Sequence, residues 1–334
     1  MLRIKFIKSC LSGILGVSIL IGCSSPKPKE VEQKVESTEW NTFSGSESKD
    51  APKVVLITGD EEYRSEEGLT QLGKILAERH GFNCTVLYSQ DPVNPGVVNA
   101  NFHGNIPGLE ALKNADLMII LTRFRSPTDE QMGYINDYLM QGKPVIGLRT
   151  ATHAFQFKPK DTIPSKWAHY NNGYNGEKTE WEGGFGRLIL GEKWISHHGH
   201  HKHQSTAGII SPGAENHPIV NGISNGDIWG PTDVYGVRLP LPGDSQPIIL
   251  GQVTNRKGEY DENDVFYGMR PTDDEIAMTN PGQKKIPNIN DPMMPVAWTK
   301  TYQLPNGKAG TAFTSTVASS TDLMSEGVRR LIVN

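Results

Sequence analysis

Compact hydrophobic runs alternate with amphipathic segments in the first half of the chain. The apolar runs predict four buried strands over residues 53–58, 84–88, 116–121 and 144–148. Apolar positions at helical spacing predict helices over residues 65–80, 107–113 and 128–141. Ser65 is the predicted N-cap of the first helix and Gly81 its stop. This alternation indicates an α/β fold with a mostly parallel sheet and helices on both faces.

The second half adds long polar loops to this core. Its apolar segments predict strands over residues 205–211, 296–301 and 311–317, and a helix from Thr321. Residues 255–291 are rich in Pro, Asn, Lys and Asp and are typical of an insertion loop. Four aromatic residues lie between His153 and Phe185, and they form either a lid that stacks on sugars or ordinary core: Trp167, Tyr170, Tyr174 and Trp181.

The N-terminus has the pattern of an export signal. Basic residues precede an apolar segment over 9–21 that is too short to span a membrane as a mature helix. Leu20-Ile-Gly-Cys23 resembles the lipobox of bacterial lipoproteins, so we expect lipidation of Cys23. The predicted organisation is a signal peptide over 1–22, a flexible tether over 23–51 and one domain over 52–334. The expected location is the cell envelope, on the outer membrane or facing the periplasm, with the lipid as the only membrane contact.

Charge and cysteine content narrow the classes of function. The 334 residues carry a formal net charge of -4, which gives no electrostatic case for a nucleic-acid partner. Of the 3 cysteines, Cys10 leaves with the signal and Cys23 is the expected lipidation site. Cys84 is then left alone, so no intramolecular disulfide can form. Its strand-like surroundings predict a buried, unreactive thiol.

Polar residues follow three of the predicted strands directly. In parallel sheets ligands bind at the carboxyl ends of strands, where these turns lie. The turns can bring together a mixture of carboxylates, guanidinium groups and an imidazole: Asp60, Glu61, Arg64, Arg123, Arg125, Arg149 and His153. Such a mixture is a candidate acid–base site. The alternative is that these charges pair with one another and hold the loops.

Half of the chain's 10 histidines lie within Ser196-His-His-Gly-His-His-Lys-His203. In an extended backbone His198 and His200 share one face, and the other three histidines share the opposite face. His198 and His200 are the predicted metal ligands, for a divalent transition metal such as zinc, with a third from His153, Asp60 or Asp233. Metal-free ligand binding or catalysis, and adventitious surface histidines, remain alternatives.

Several motifs in order resemble ThuA-like (trehalose utilisation) proteins of the class I glutamine amidotransferase-like superfamily. They are Gly59-Asp-Glu-Glu-Tyr-Arg64, the segment 143–155, His197-His-Gly-His200 and Trp229-Gly-Pro-Thr-Asp-Val-Tyr235. The resemblance implies a flavodoxin-like sheet and a link to sugar metabolism. Arg149 stands where true glutamine amidotransferases carry the cysteine nucleophile, so glutaminase activity is not expected. The segment 318–322 replaces a Gly-His pair that is frequent among relatives.

Two classes of function follow from these observations. The first is an exported hydrolase, lyase or isomerase that acts on a carbohydrate or modified sugar, with His153, His198 or His200 as the acid–base group and Asp60 or Glu61 as its partner. The expected substrate-binding residues are Arg64, Arg123, Arg125, Arg149, Trp229, Asp233 and Tyr235. The second class is a non-catalytic lipoprotein that binds a sugar. Surface metal scavenging is a third possibility, and the oligomeric state is left open.

Overall fold

The structure is a computed structural model that describes residues 39–48, 50–158, 165–283 and 286–334. The predicted signal peptide, Cys23 and most of the predicted tether lie outside these ranges. Within them, no helix combines the length and the apolar character needed to cross a membrane.

The first half contains the predicted alternation of strands and helices. Its elements are β1 (Trp40–Ser44), β2 (Lys53–Gly59), α1 (Ser65–His80), β3 (Asn83–Leu87), β4 (Leu117–Thr122), α2 (Asp129–Met140) and β5 (Val145–Leu148). The predicted short helix over 107–113 is a 3-10 helix over Leu109–Asn114. The tether was predicted to reach residue 51, but β1 lies within it and pairs with β3.

The second half contributes one short helix, eight further strands and a C-terminal helix. These elements are α3 (Gly184–Leu188), β6 (Ser196–His197), β7 (Gln204–Ile210), β8 (Trp229–Gly230), β9 (Tyr235–Gly236), β10 (Gln246–Asn255), β11 (Glu275–Ile276), β12 (Met294–Gln303), β13 (Ala309–Ser315) and α4 (Glu326–Val333). The last helix begins later than predicted because Asp322 holds a turn before it, accepting hydrogen bonds from the Ser319 amide and the Thr232 hydroxyl.

The described strands form an 11-stranded sheet in the order β1-β3-β2-β4-β5-β13-β12-β10-β7-β8, with β11 paired to β10. The five consecutive strands β3, β2, β4, β5 and β13 are parallel to one another. The remaining pairs are antiparallel, and β6 and β9 form a separate two-stranded sheet. The α/β class is confirmed. The sheet is mixed rather than mostly parallel, because the strands of the second half, from β7 to β12, pair with their neighbours in antiparallel orientation.

Helices cover both faces of the parallel strands. Alternate residues of β2 point to opposite sides, as in any strand. Leu56 belongs to the same buried cluster as Leu72 of α1, whereas Ile57 belongs to the cluster that contains Ile135 of α2. The parallel strands are therefore buried on both sides, which accounts for their continuous apolar runs in the sequence.

The turn between β2 and α1 differs in one detail from the prediction. Arg64, in a left-handed conformation with φ 55°, occupies the N-cap position, and Ser65 is the first helical residue. The Ser65 hydroxyl instead accepts hydrogen bonds from the Gly59 and Asp60 amides, both at 2.9 Å. Gly81 ends the helix with φ 75°, as predicted. Ser65 thus fixes the loop that leads into the site described below.

The burial of Cys84 gives a direct test of this core. Burial raises the pKa of its thiol to about 12, so little thiolate exists near neutral pH. In a chain carrying Cys10→Ser and Cys23→Ser, we expect Ellman's reagent at pH 8 to modify the native protein far more slowly than the denatured one. A further Cys84→Ser substitution should abolish the signal. Equal rates before and after denaturation would contradict the packing described here.

Candidate active site

The centre of the site is a buried ion pair between Arg149 and Asp233. The Arg149 Nη2 atom lies 3.0 Å from Asp233 Oδ1, and both side chains are fully shielded from solvent. Arg149 Nη1 also donates to the backbone carbonyls of Asp233 and Thr316, each at 2.8 Å. The guanidinium carbon lies 3.6 Å from the ring centroid of Tyr235 and 4.7 Å from that of Tyr63. Arg149 is therefore held by charge, hydrogen bonds and two aromatic rings.

The position of Arg149 follows from the end of β5. It is the first residue after the strand and has φ 41°, a left-handed conformation that is uncommon outside glycine. A 3-10 helix over Arg149–His153 follows at once. The sharp turn directs the guanidinium into the protein, where Asp233 and the Thr316 carbonyl receive it. The turn therefore presents a cation that is buried and paired.

Asp233 also accepts hydrogen bonds from two histidines. His197 Nδ1 lies 2.8 Å from Asp233 Oδ2, and His201 Nδ1 lies 3.0 Å from Asp233 Oδ1. On its other edge, His201 Nε2 lies 3.3 Å from Glu62 Oε1. These contacts join Arg149, Asp233, His197, His201 and Glu62 into one network, which we call the Asp233 network. Its two imidazoles are partly exposed, with 35% and 29% of their side-chain surface accessible.

The charges in the Asp233 network shift the pKa values of its members. Burial alone would raise the pKa of Asp233, but Arg149 and the two imidazoles hold it well below its usual range. The hydrogen bond from His201 lowers the pKa of Glu62 to about 2, assisted by the nearby Arg123. Burial opposes protonation of His201, yet its bonds to Asp233 and Glu62 raise its pKa above the ordinary value. Two carboxylates thus remain ionised around the imidazoles.

Backbone pairing brings the two histidines to Asp233. His197 lies opposite Tyr235 in the β6–β9 ladder, and the His198 and Gly199 amides both donate to the Val234 carbonyl, at 2.8 and 3.0 Å. The chain then turns, with the Gln204 amide donating to the His200 carbonyl at 2.9 Å. This turn returns His201 to the side occupied by His197, so the two imidazoles flank the same carboxylate.

The acidic and basic residues after β2 and β4 pair mainly with one another. Glu61 Oε2 lies 2.6 Å from Arg125 Nη2, and Glu61 Oε1 accepts from Arg123. Arg125 is buried and also donates to the Gly59 and Ala100 carbonyls, so it clamps these loops. Arg64 pairs with Glu67 at 2.6 Å in the first turn of α1. Arg123 is partly exposed and lies 3.0 Å from Glu62 of the Asp233 network.

Asp60 and His153 are buried beneath this rim. Asp60 accepts hydrogen bonds from the amides of Glu62 and Tyr63 and from the Thr150 hydroxyl, while burial raises its pKa. His153 packs against the rings of Phe124 and Trp194, with centroid distances of 4.9 and 5.4 Å. Burial lowers the pKa of His153 to about 3, and it is a neutral imidazole at physiological pH. Asp60 shapes the loop rather than facing a ligand.

The structure corrects the predicted metal pair. His198 is buried, and its Nε2 atom lies 2.6 Å from the Ile289 carbonyl oxygen, while His200 stacks on His203 with ring centroids 4.3 Å apart. The prediction assumed an extended backbone, but only residues 196–197 are extended and a turn follows. Trp229 is also buried and packs on Phe266, with a centroid distance of 5.4 Å. None of these three side chains contacts Asp233.

Sequence reasoning missed four residues that the structure brings together. They are His197 and His201 on one segment and Glu62 and Tyr63 on another. In an extended backbone, His197 and His201 lie on the face opposite His198 and His200. In the structure a turn lies between His197 and His201, which brings these two rings together. Glu62 and Tyr63 lie in the polar turn after β2, directly beside the chosen Glu61. The sequence indicates the polar turn after β2 as a part of the site, but it does not show which side chains of that turn face the site.

The aromatic segment before α3 is mostly core. Tyr170 and Trp181 are buried in the same cluster as Phe155 and Phe185, and Trp167 packs against that cluster. Residues 159–164 of this segment lie outside the described ranges. Elsewhere, a cavity of about 240 Å³ adjoins the Asp233 network and is lined in part by Glu62, Tyr63 and His201. This cavity gives a small molecule an approach to the Glu62 and His201 side of the network.

No family model matches the chain, and neither does any curated protein. Among solved structures, it is similar to a protein described as ThuA-like from Bacteroides uniformis ATCC 8492, with a TM-score of 0.45 and 13% identity, over 86% of this chain and 91% of that chain. A second, from Parabacteroides merdae ATCC 43184, has a TM-score of 0.44 and 12% identity, over 85% of this chain and 88% of that chain. Both are described by the family name that the motifs of this chain resemble.

Replacement of Arg149 should destabilise the fold. Arg149→Ala leaves the buried Asp233 carboxylate without its main counter-charge, and we expect the free energy of unfolding to fall by about 3–5 kcal/mol. Chemical denaturation followed by circular dichroism measures this change. Arg330→Ala is the matched control, because Arg330 pairs with Glu326 on the surface and should contribute little. Equal losses in the two variants would show that the buried pair has no special role.

Proposed function

We propose that the chain is an exported ThuA-like protein with a flavodoxin-like core that acts on a carbohydrate or modified sugar by acid–base chemistry. The observation that carries this proposal is that one buried carboxylate, Asp233, holds the Nδ1 atoms of two partly exposed imidazoles. A carboxylate that orients an imidazole from behind is the arrangement used for proton transfer by many enzymes. His197 and His201 replace the histidines chosen from the sequence as the acid–base groups.

The two imidazoles differ in their second contact, which gives them different roles. Nδ1 of each ring donates a hydrogen bond to Asp233, which leaves Nε2 of His197 for a substrate. Nε2 of His201 instead faces Glu62, and the two carboxylates favour its protonated form. In this mechanism His197 removes or returns a proton at the substrate, and His201 supplies positive charge beside it. Pairs of titratable groups in different environments are suited to such a division.

The surroundings suit a polyhydroxylated ligand. Arg123 and Glu62 offer a donor and an acceptor at the rim, with 28% and 29% of their side chains exposed. Trp194 is partly exposed and its ring lies 5.6 Å from that of His197, which provides an apolar surface for the C–H face of a sugar. Because Arg149 is buried and paired, it supports the network instead of contacting the substrate.

The sheet order supports the proposed flavodoxin-like core. Numbered along the chain, the five parallel strands β2, β3, β4, β5 and β13 lie in the order 2-1-3-4-5, which is that of flavodoxin-like sheets. In such sheets ligands bind beyond the carboxyl ends of the strands. The turns after β2 and β5 supply Glu62 and Arg149 at this edge. Arg149 cannot act as a nucleophile, so the proposed chemistry excludes glutamine hydrolysis through that position.

Substitution of His197 tests the proposal on a panel of sugars and oxidised or phosphorylated sugars. We expect His197→Ala to lower turnover by about 10²–10⁴-fold while the protein still binds the ligand. Binding is measured by calorimetry and product by mass spectrometry. His200→Ala is the matched control, because His200 lies in the same segment and stacks on His203 instead of contacting Asp233. Saturable sugar binding without product from the unmodified protein would favour the non-catalytic sugar-binding alternative.

Lipid anchoring is proposed from the lipobox at Leu20 to Cys23, which lies outside the described residues. We expect Cys23→Ser to abolish incorporation of labelled palmitate and to prevent maturation of the precursor, because the thiol accepts the lipid. Cell fractionation and gel mobility measure both effects. Cys84→Ser is the control and should leave labelling unchanged, since Cys84 is buried in the domain. Undiminished labelling of the Cys23→Ser chain would contradict the anchor.

A further inference from the structure

We propose that His197, His201 and Asp233 bind one divalent transition-metal ion of the zinc type. Each offers one ligand atom, and these three atoms lie within 4.8 Å of one another. Two histidines and a carboxylate with an open fourth position form a known type of catalytic zinc site. The inference rests on the proposed function for the role of the site. In the metal-bound form His197 and His201 are neutral ligands, and the ion would supply the positive charge beside the substrate in place of a protonated imidazole. The proposed ligand set differs from the histidine pair predicted from the sequence.

The contacts at Asp233 leave room for a cation after a small shift. His197 Nδ1 and His201 Nδ1 lie 2.8 and 3.0 Å from the two carboxylate oxygens. Zinc bonds to nitrogen and oxygen are about 2.0–2.2 Å long, which places tetrahedral ligand atoms a few tenths of an ångström farther apart than these pairs. Binding at Nδ1 requires each imidazole to carry its proton on Nε2. For His201 an acceptor for that proton is already present, since Nε2 lies 3.3 Å from Glu62 Oε1.

Glu62 thus supplies the second layer of a metal site. Histidine ligands usually donate their other N–H to a carboxylate or carbonyl, which fixes the ring and strengthens the ligand. On the opposite side, Arg149 holds Asp233 through Nη2 at 3.0 Å. The charge of Arg149 reduces the attraction of Asp233 for a cation, and Glu62, which is itself paired with Arg123 at 3.0 Å, is the second carboxylate beside the site. Both outer contacts come from residues that follow parallel strands, so the ligands are set on a rigid edge.

The exposure of the site allows both entry and exchange. Asp233 is buried, whereas 35% of the His197 side chain and 29% of the His201 side chain are accessible. The adjoining cavity of about 240 Å³ is lined in part by His201 and Glu62, but not by His197 or Asp233, so a ligand oxygen can approach the site from the His201 side. The ion would supply Lewis-acid activation of that oxygen. His200 and His203 stack on each other and contact no carboxylate among the described residues, so they provide a comparison within the same segment.

Metal binding tests this inference directly. The untagged full-length chain is treated with a chelator, titrated with Zn²⁺ by calorimetry, and assayed for metal after dialysis. We expect one equivalent of Zn²⁺ to bind. The affinity for Zn²⁺ should fall at least about 100-fold in His197→Ala and in His201→Gln, which removes the imidazole but keeps a polar side chain. His200→Ala should bind as the unmodified protein does. Absence of a stoichiometric ion, or an equal loss in His200→Ala, would overturn the proposal.

A spectroscopic readout and a turnover measurement separate this inference from the proposed function. Co²⁺ in the same site should give the visible absorption of a four-coordinate ion, and His201→Gln should remove it while thermal unfolding shows a folded protein. A six-coordinate spectrum that survives His201→Gln would overturn the ligand set. If the protein binds no stoichiometric ion but turns over its sugar and loses turnover in His197→Ala, the metal proposal fails and the acid–base proposal stands.

Discussion

The Arg149–Asp233 ion pair is the interaction on which the site depends. Two charges removed from water cost several kcal/mol each, and only close pairing with additional hydrogen bonds offsets that cost. Here the guanidinium also bonds two backbone carbonyls and lies between two tyrosine rings, and the carboxylate also accepts from two imidazoles. The pair joins the end of β5 to the segment before β9, which are far apart along the chain. Its stability fixes the position of everything attached to Asp233.

The exposed chemistry of the site is an extension of this buried pair. Asp233 stays ionised because Arg149 lies beside it, and an ionised carboxylate fixes the orientation of His197 and His201. Nε2 of His201 faces Glu62, and Nε2 of His197 is left for a substrate. The same three side chains can serve proton transfer or cation binding, but not both at once. Proton transfer needs Nδ1–H donated to Asp233, whereas cation binding needs the Nδ1 lone pair and the proton on Nε2. Arg149 therefore gives the turn after β5 a supporting role.

Regular elements of the first half were predictable because their patterns are local. The helix over 65–80 has its predicted bounds, since helical spacing and Gly81 together define it. β1 was not predicted, because a short strand within a polar, charged stretch has no hydrophobic period of its own and is fixed by pairing with β3. The choice of His198 and His200 failed for a related reason. Alternation of side chains holds only in an extended chain, and this segment turns after His197.

Local sequence patterns predict the α/β class, the turns that carry polar residues, and a charged residue, Arg149, directly after β5. These features depend on composition and spacing within a few residues. Only the folded structure shows which charged side chains face solvent and which are buried in pairs that hold loops. Asp60 and Arg125 are buried. His197 and His201 contact Asp233, and Glu62 contacts His201. Burial and pairing depend on contacts between segments that are distant along the chain. A local sequence pattern cannot show these contacts.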